Sequence, residues 1–128
     1  MNNVKVLIYV ESRYRVNRKR IKKAVSETLS VNEVSIPVEI SLAIVGDRKM
    51  KGLNKKYRNL DKTTNVLSFP QKEGDPVKIP DNTTRLGDIV ISYPQVIRES
   101  ARDEMLVDDK VDELVKHSML HLLGIHHE

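Results

Sequence analysis

Cysteine and tryptophan are absent from this 128-residue chain, phenylalanine occurs once and tyrosine four times. The lack of cysteine excludes disulfides and thiolate metal ligands, so histidine and carboxylate must supply any metal site. With so few rings a platform that stacks successive bases is not expected, and contact with nucleic acid would run through the backbone. No apolar stretch approaches the roughly 20 residues needed to span a bilayer. Residues 1–10 also lack the basic start, apolar centre and small-residue cleavage site of a secretory signal. The expected location is therefore the cytoplasm, with no membrane partner. The length suits one domain covering residues 1–128 and leaves no second one to carry function.

Histidine is scarce as well, until the end. All four fall in the last twelve residues, as His117, His121, His126 and His127. Three of them are spaced H-x3-H-x5-H. On a helix His117 and His121 sit one turn apart on one face, with Cβ atoms about 5–6 Å apart, so both imidazoles can reach one ion. Gly124 stands where a helix ends through a left-handed residue, turning the chain so that His127 can come back toward the first two ligands. Three neutral imidazoles with a fourth position open suit a catalytic zinc better than a structural one. The expected cofactor is one Zn2+ on His117, His121 and His127; Ni2+ or Cu2+ would fit the same donors, and no small-molecule cofactor is expected. His126 could stand in for His127, although the spacing favours His127. A solvated histidine pair is the plainer reading. Against it stand the third histidine just after the terminating glycine and the absence of histidine elsewhere.

Charge is unevenly distributed behind the formal net value of +4. Residues 1–64 hold 15 Lys and Arg against 6 Asp and Glu, and the remainder 7 against 12. A basic half fits a polyanion, because Lys and Arg contacts to phosphate supply most sequence-independent affinity for nucleic acid. A solvated helix face is the alternative.

Along the chain, residues 4–10 read as a short buried strand, and Val38, Ile40, Leu42 and Ile44 alternate as in a half-buried one. Between them Asn17 caps a helix whose apolar stripe is Ile21, Ala24, Val25 and Leu29. A second helix starts near Asp47 with Met50, Leu53, Asn54 and Tyr57 on one face, and Gly52 weakens it by about 1 kcal/mol relative to alanine. Residues 65–69 and 86–92 read as strands separated by a loop containing Gly74, Pro76, Pro80, Asp81 and Asn82. Pro94 opens a helix running to about Glu104 with Val96, Ile97 and Ala101 inward. Asp108 or Asp109 caps the terminal helix, which is apolar almost all round. The order β-α-β-α-β-β-α-α predicts an α+β fold: a sheet of roughly four strands, covered mainly on one face, with the three-His metal site on the C-terminal helix and following turn.

Metzincin proteases share the histidine spacing but place a glutamate general base directly after the first histidine. Here Ser118 holds that position, and its hydroxyl cannot take up a proton at neutral pH as a carboxylate does. A zinc-dependent peptidase is thus the weaker alternative. Four further segments point elsewhere: Leu53-Asn54 with Tyr57-Arg58, Thr64-Asn65-Val66-Leu67-Ser68-Phe69-Pro70, Leu86-Gly87-Asp88-Ile89, and the tail at 117–127. Together they closely resemble the YbeY family of bacterial ribosomal RNA maturation factors. That family's motifs read L-N-x-x-Y-R, T-[DN]-V-L-S-F-P, G-D-[IL] and H-G-x-L-H-L-x-G-[YH]-D-H. The resemblance runs from about residue 38 to the C-terminus. It departs at Ser118, where the family has glycine, and at His126, where it has aspartate. Ser118 is expected to add a side chain beside the first ligand, where substrate or backbone passes closely. Family members also usually continue past the third histidine, so a chain closing at Glu128 is expected to anchor its last ligand loosely.

The resemblance implies a mixed sheet, a positively charged groove beside the three-His site and a single-strand-specific zinc-dependent endoribonuclease. Its implied role is maturation of the 3′ end of 16S rRNA and ribosome quality control, with ribosomal RNA and the small subunit of the ribosome as partners. It also implies that Arg58 lies near the metal and binds or polarises RNA phosphate. The expected catalytic residues are Arg58 and His117. Lys55, Lys56, Asn65 and Ser68 are candidate RNA contacts beside Arg58, and Asp88 a brace from a strand end. A non-catalytic RNA- or ribosome-binding module, with a metal that only fixes the tail, is the second alternative.

Overall fold

The computed structural model describes residues 3–71 and 82–125. The expected loop at 72–81, and with it His126 and His127, lies outside the described residues. Eight elements follow in the expected order: β1 (Val4–Val10), α1 (Arg18–Val31), β2 (Val38–Val45), α2 (Asp47–Arg58), β3 (Val66–Pro70), β4 (Thr84–Ser92), α3 (Tyr93–Arg102) and α4 (Val107–Leu122).

The four strands form one mixed sheet in the order β1-β2-β4-β3. β1, β2 and β4 run parallel, and β3 pairs antiparallel with β4 at the edge. Alternation along β2 sorts the two faces. Val38, Ile40, Leu42 and Ile44 enter the main core with the stripes of α1 and α4, whereas Ala43 and Val45 meet Met50 and Leu53 of α2 on the other side. Among the described residues, helices thus cover one face, and the opposite one is covered only where α2 crosses it. β1 differs from the buried strand expected. Val4, Val6, Ile8 and Val10 pack on the core, but Lys5, Leu7 and Tyr9 face outward, with Leu7 54% and Tyr9 60% exposed, since no described element covers that side of the edge strand.

The register of β2 on β4 slips between Glu39 and Ile40, where Leu86 is the extra residue. Gly87 makes this bulge possible. Its φ is +142°, and a Cβ there would stand 2.2 Å from the Phe69 carbonyl oxygen.

Helix ends depart most from the sequence reading. Asn17 does cap α1, its side chain accepting from the Arg20 amide. α3, however, stops at Arg102 rather than near Glu104, because Glu104 takes the left-handed conformation (φ 53°). Ile97 and Ala101 of α3 face out, and the inward stripe is Val96, Glu99 and Ser100. A buried polar stripe escapes a search for apolar periodicity. Neither Asp108 nor Asp109 caps α4; Leu106 holds that position and the aspartates occupy the first turn, where negative charge suits the helix dipole. Arg20 ties α1 to the start of α4 through Asp109 and Asp112, both at 2.6 Å.

Candidate active site

The last two turns of α4 carry His117 and His121, both exposed, on the side of the helix away from the buried Val115, Met119 and Leu122. The end of that helix is built as the glycine predicts. Gly124 adopts φ +77°, its amide bonds to the His121 carbonyl (3.0 Å), and the Ile125 amide reaches back to the Leu120 carbonyl (2.9 Å). This is the paired closure of a Schellman motif, which turns the chain sharply immediately before His126.

His121 meets β3. Leu67 and Phe69 point toward α2, so the intervening Ser68 points toward α4. Its Oγ lies 2.5 Å from His121 Nδ1. A hydroxyl on Nδ1 directs any metal to Nε2 and fixes the ring plane, the part that a carboxylate, backbone carbonyl or water usually plays for a metal-binding histidine. Ser68 was expected to hydrogen-bond RNA, a loop or nearby backbone. Strand alternation could have revealed its direction, but not the helix it meets.

On the other face of β3, Phe69 packs edge-on against Tyr57, ring centres 5.1 Å apart. Tyr57 precedes Arg58, the last residue of α2, and Asn59 then takes the left-handed conformation (φ 61°) that ends the helix. One short strand therefore holds the end of α4 on one side and the end of α2 on the other. Arg58, Lys55 and Lys56 are all exposed, and among the described residues none of the three has an acidic partner.

Asn65 is differently placed. Its amide donates to Glu99 (3.0 Å), a mostly buried carboxylate that also accepts from Gln95 and lies 3.9 Å from the buried Lys110. Asn65 thus pins the start of β3 to α3. Asp88 faces the α2 side with its ladder partner Phe69 and is ion-paired to Arg85. It does not brace the histidine pair. Ser118 corrects a further expectation: it is 1% exposed, directed into the core, and its hydroxyl has no described partner. It intrudes on no groove. Asp47, at the start of α2, accepts from Thr63, Ser92 and Arg98. Burial pushes its carboxyl up, yet these three bonds and the Arg98 charge hold it below the ordinary aspartate range.

Among the described residues no group of three or more His, Asp or Glu side chains forms a metal cluster. His117 and His121 provide two donors, and the third expected ligand, His127, lies outside those residues.

A family model described as Endoribonuclease YbeY matches residues 8–128. The chain belongs to the YbeY endoribonuclease family. A YbeY relative from Dehalococcoides mccartyi, named Endoribonuclease YbeY, is 37% identical over 123 residues, covering 88% of this chain and 77% of the relative. One from a Roseiflexus species, with the same name, is 40% identical over 110 residues, covering 84% and 69%. A solution structure from Thermotoga maritima superposes with a TM-score of 0.62 at 25% identity, over 96% of this chain and 75% of that one. Of the YbeY motif residues, Tyr57 packs on Phe69 of β3, Gly87 pairs with Pro70 at its end, and His121 reaches Ser68 of that strand from α4. No helix of the described residues is long and apolar enough to cross a membrane.

Proposed function

We propose that this YbeY-family chain is a cytoplasmic, single-strand-specific, zinc-dependent endoribonuclease acting on small-subunit ribosomal RNA, in maturing the 3′ end of 16S rRNA and in ribosome quality control. The observation that supports it most directly is the His121 ring, oriented by Ser68 and one helical turn from His117. The donor set fits a divalent metal. Two exposed imidazoles share a helix face, one with its Nδ1 engaged, and the helix closes so that the next residues are two more histidines. A zinc ion there would supply Lewis-acid stabilisation of phosphoryl oxygens and acidify a bound water.

The chain's own residues do the rest. Arg58 stays protonated at any working pH and can contact two phosphate oxygens, so it stabilises the charge that grows on the scissile phosphate. Its exposure at the end of α2 leaves it accessible to a strand of RNA. Attack by the ribose 2′-hydroxyl leaves a 2′,3′-cyclic phosphate and attack by water leaves none, so product ends identify the nucleophile. The peptidase alternative loses support, since the position of its general base is a serine sealed in the core.

The test is elemental analysis of untagged protein beside His121→Ala, each incubated with single-stranded ribosomal RNA. About one zinc per chain, lost with cleavage in the variant, is expected. RNA that is bound but never cut, with metal present, would favour the non-catalytic binding module. Arg58→Ala should lower kcat/KM by about 10²-fold or more, in line with removal of a group stabilising transition-state charge, while zinc content is unchanged.

A further inference from the structure

We infer that the outer face of α2, with the cleft at its N-terminal end, is a second contact surface for the backbone phosphates of single-stranded RNA, on the opposite side of the sheet from the histidine pair. This deepens the endoribonuclease reading and rests on it.

Six of the twelve residues of α2 are exposed cations: Arg48, Lys49, Lys51, Lys55, Lys56 and Arg58. Many cations elsewhere in the fold are neutralised. Arg20, Arg85, Arg98, Arg102, Lys110 and Lys116 each lie within 4 Å of a carboxylate. On α2 only Lys51 has an acidic neighbour, Asp61, at 3.8 Å, and the other five have none among the described residues. The single acid of the helix, Asp47, is bound to Arg98. This concentration of uncompensated charge destabilises the helix by repulsion between neighbours and is relieved by a polyanion.

Arg48, Gly52 and Lys56 recur at intervals of four along one stripe, and with Lys49 and Arg13 they line a cleft of about 760 Å³. Gly52 leaves a gap in the middle of this stripe. A Cβ there would meet nothing within 4 Å, so no packing requires glycine, although it weakens the middle of an exposed helix by about 1 kcal/mol. Its bare backbone lets a ligand approach closely between the cations. The cleft suits phosphate better than bases: the ring of Tyr14 is already stacked on Tyr93 at 4.7 Å and carries Arg13 above it. Glu11 is the one acid of the cleft outside the Asp47–Arg98 pair, so the lining is net positive. Arg58 ends the same helix about 15 Å from Arg48, so one strand can continue from the cleft toward the proposed point of cleavage.

The experiment compares wild type with the double variant Arg48→Glu/Lys49→Glu, both sites being exposed, after thermal melts show equal folding. Each is assayed on single-stranded RNA of about 16 nucleotides or more and on fragments of about 4 nucleotides. The long RNA should bind the variant at least about tenfold more weakly, and the slope of log affinity against log salt should shrink by about 1.4, or about 0.7 for each phosphate no longer neutralised. Cleavage of the short fragments should be unchanged, and Arg48→Lys/Lys49→Arg should restore long-RNA affinity. Wild-type affinity and salt slope in the charge-reversed variant would overturn the inference while leaving the endoribonuclease reading intact, and loss of affinity for an acidic protein alone would do the same. Wild-type protein that neither binds nor cuts RNA would overturn both.

Discussion

At the scale of single residues, two positions carry strong expectations. Gly87 sits at φ +142° with the Phe69 carbonyl where a Cβ would be. Gly87→Ala must displace β3 or strain the bulge, so stability should fall by at least about 2 kcal/mol, read as a lower urea midpoint. A midpoint equal to wild type would mean that the bulge relaxes freely. Ser118 is the converse case. Its buried hydroxyl has no described partner, which costs about 1–3 kcal/mol relative to a satisfied group, and serine is also a poorer helix former than alanine. Ser118→Ala should therefore stabilise by about 1 kcal/mol. An unchanged or lower melting temperature would show that the hydroxyl has found a partner.

At the scale of elements, the informative object is β3, where Ser68 faces α4 and Phe69 faces α2. If the proposed zinc site exists, Ser68→Ala should weaken its zinc affinity by about 10–100-fold, measured by competition with a chelating dye, because no hydroxyl then sets the plane of the His121 ring. Unaltered zinc affinity would leave Ser68 with no part in the metal site. Element identity and order were legible in the sequence because each helix and strand has a periodic apolar side: Ile21, Ala24, Val25 and Leu29 are all buried in α1, as their spacing requires. The ends were less legible. Asp108 and Asp109 have the chemistry of caps, yet Leu106 holds the cap position; both charges lie in the first turn, and Asp109 pairs with Arg20. In α3, Glu99 lies inward where Ile97 was expected, since Asn65 and Gln95 satisfy its carboxylate and no one-dimensional pattern shows that pairing.

Across the whole molecule, Asp47 links the start of α2, the loop before β3 and α3 through Thr63, Ser92 and Arg98. Its folded-state acidity is stronger than that of an unfolded aspartate, so its contribution is present above about pH 4 and disappears as pH falls through the lowered value. Asp47→Asn should accordingly be less stable than wild type at neutral pH, with the gap closing in acid, as chemical denaturation at several pH values would show; a gap constant with pH would assign the effect to shape alone. The histidine spacing and the Gly124 turn could be read from the chain directly, because both are local. The contact of Ser68 with His121 spans 53 positions, and the opposed faces of Asp88 and Ser68 depend on strand pairing, so neither was accessible without the fold. β3 is five residues long and lies at the sheet edge, with only β4 beside it among the described residues. Such a strand frays by itself, at lower free energy than global unfolding. Heat should therefore silence RNA cleavage several degrees before circular dichroism detects melting, and amide protons of residues 66–70 should exchange with solvent sooner than those of β2.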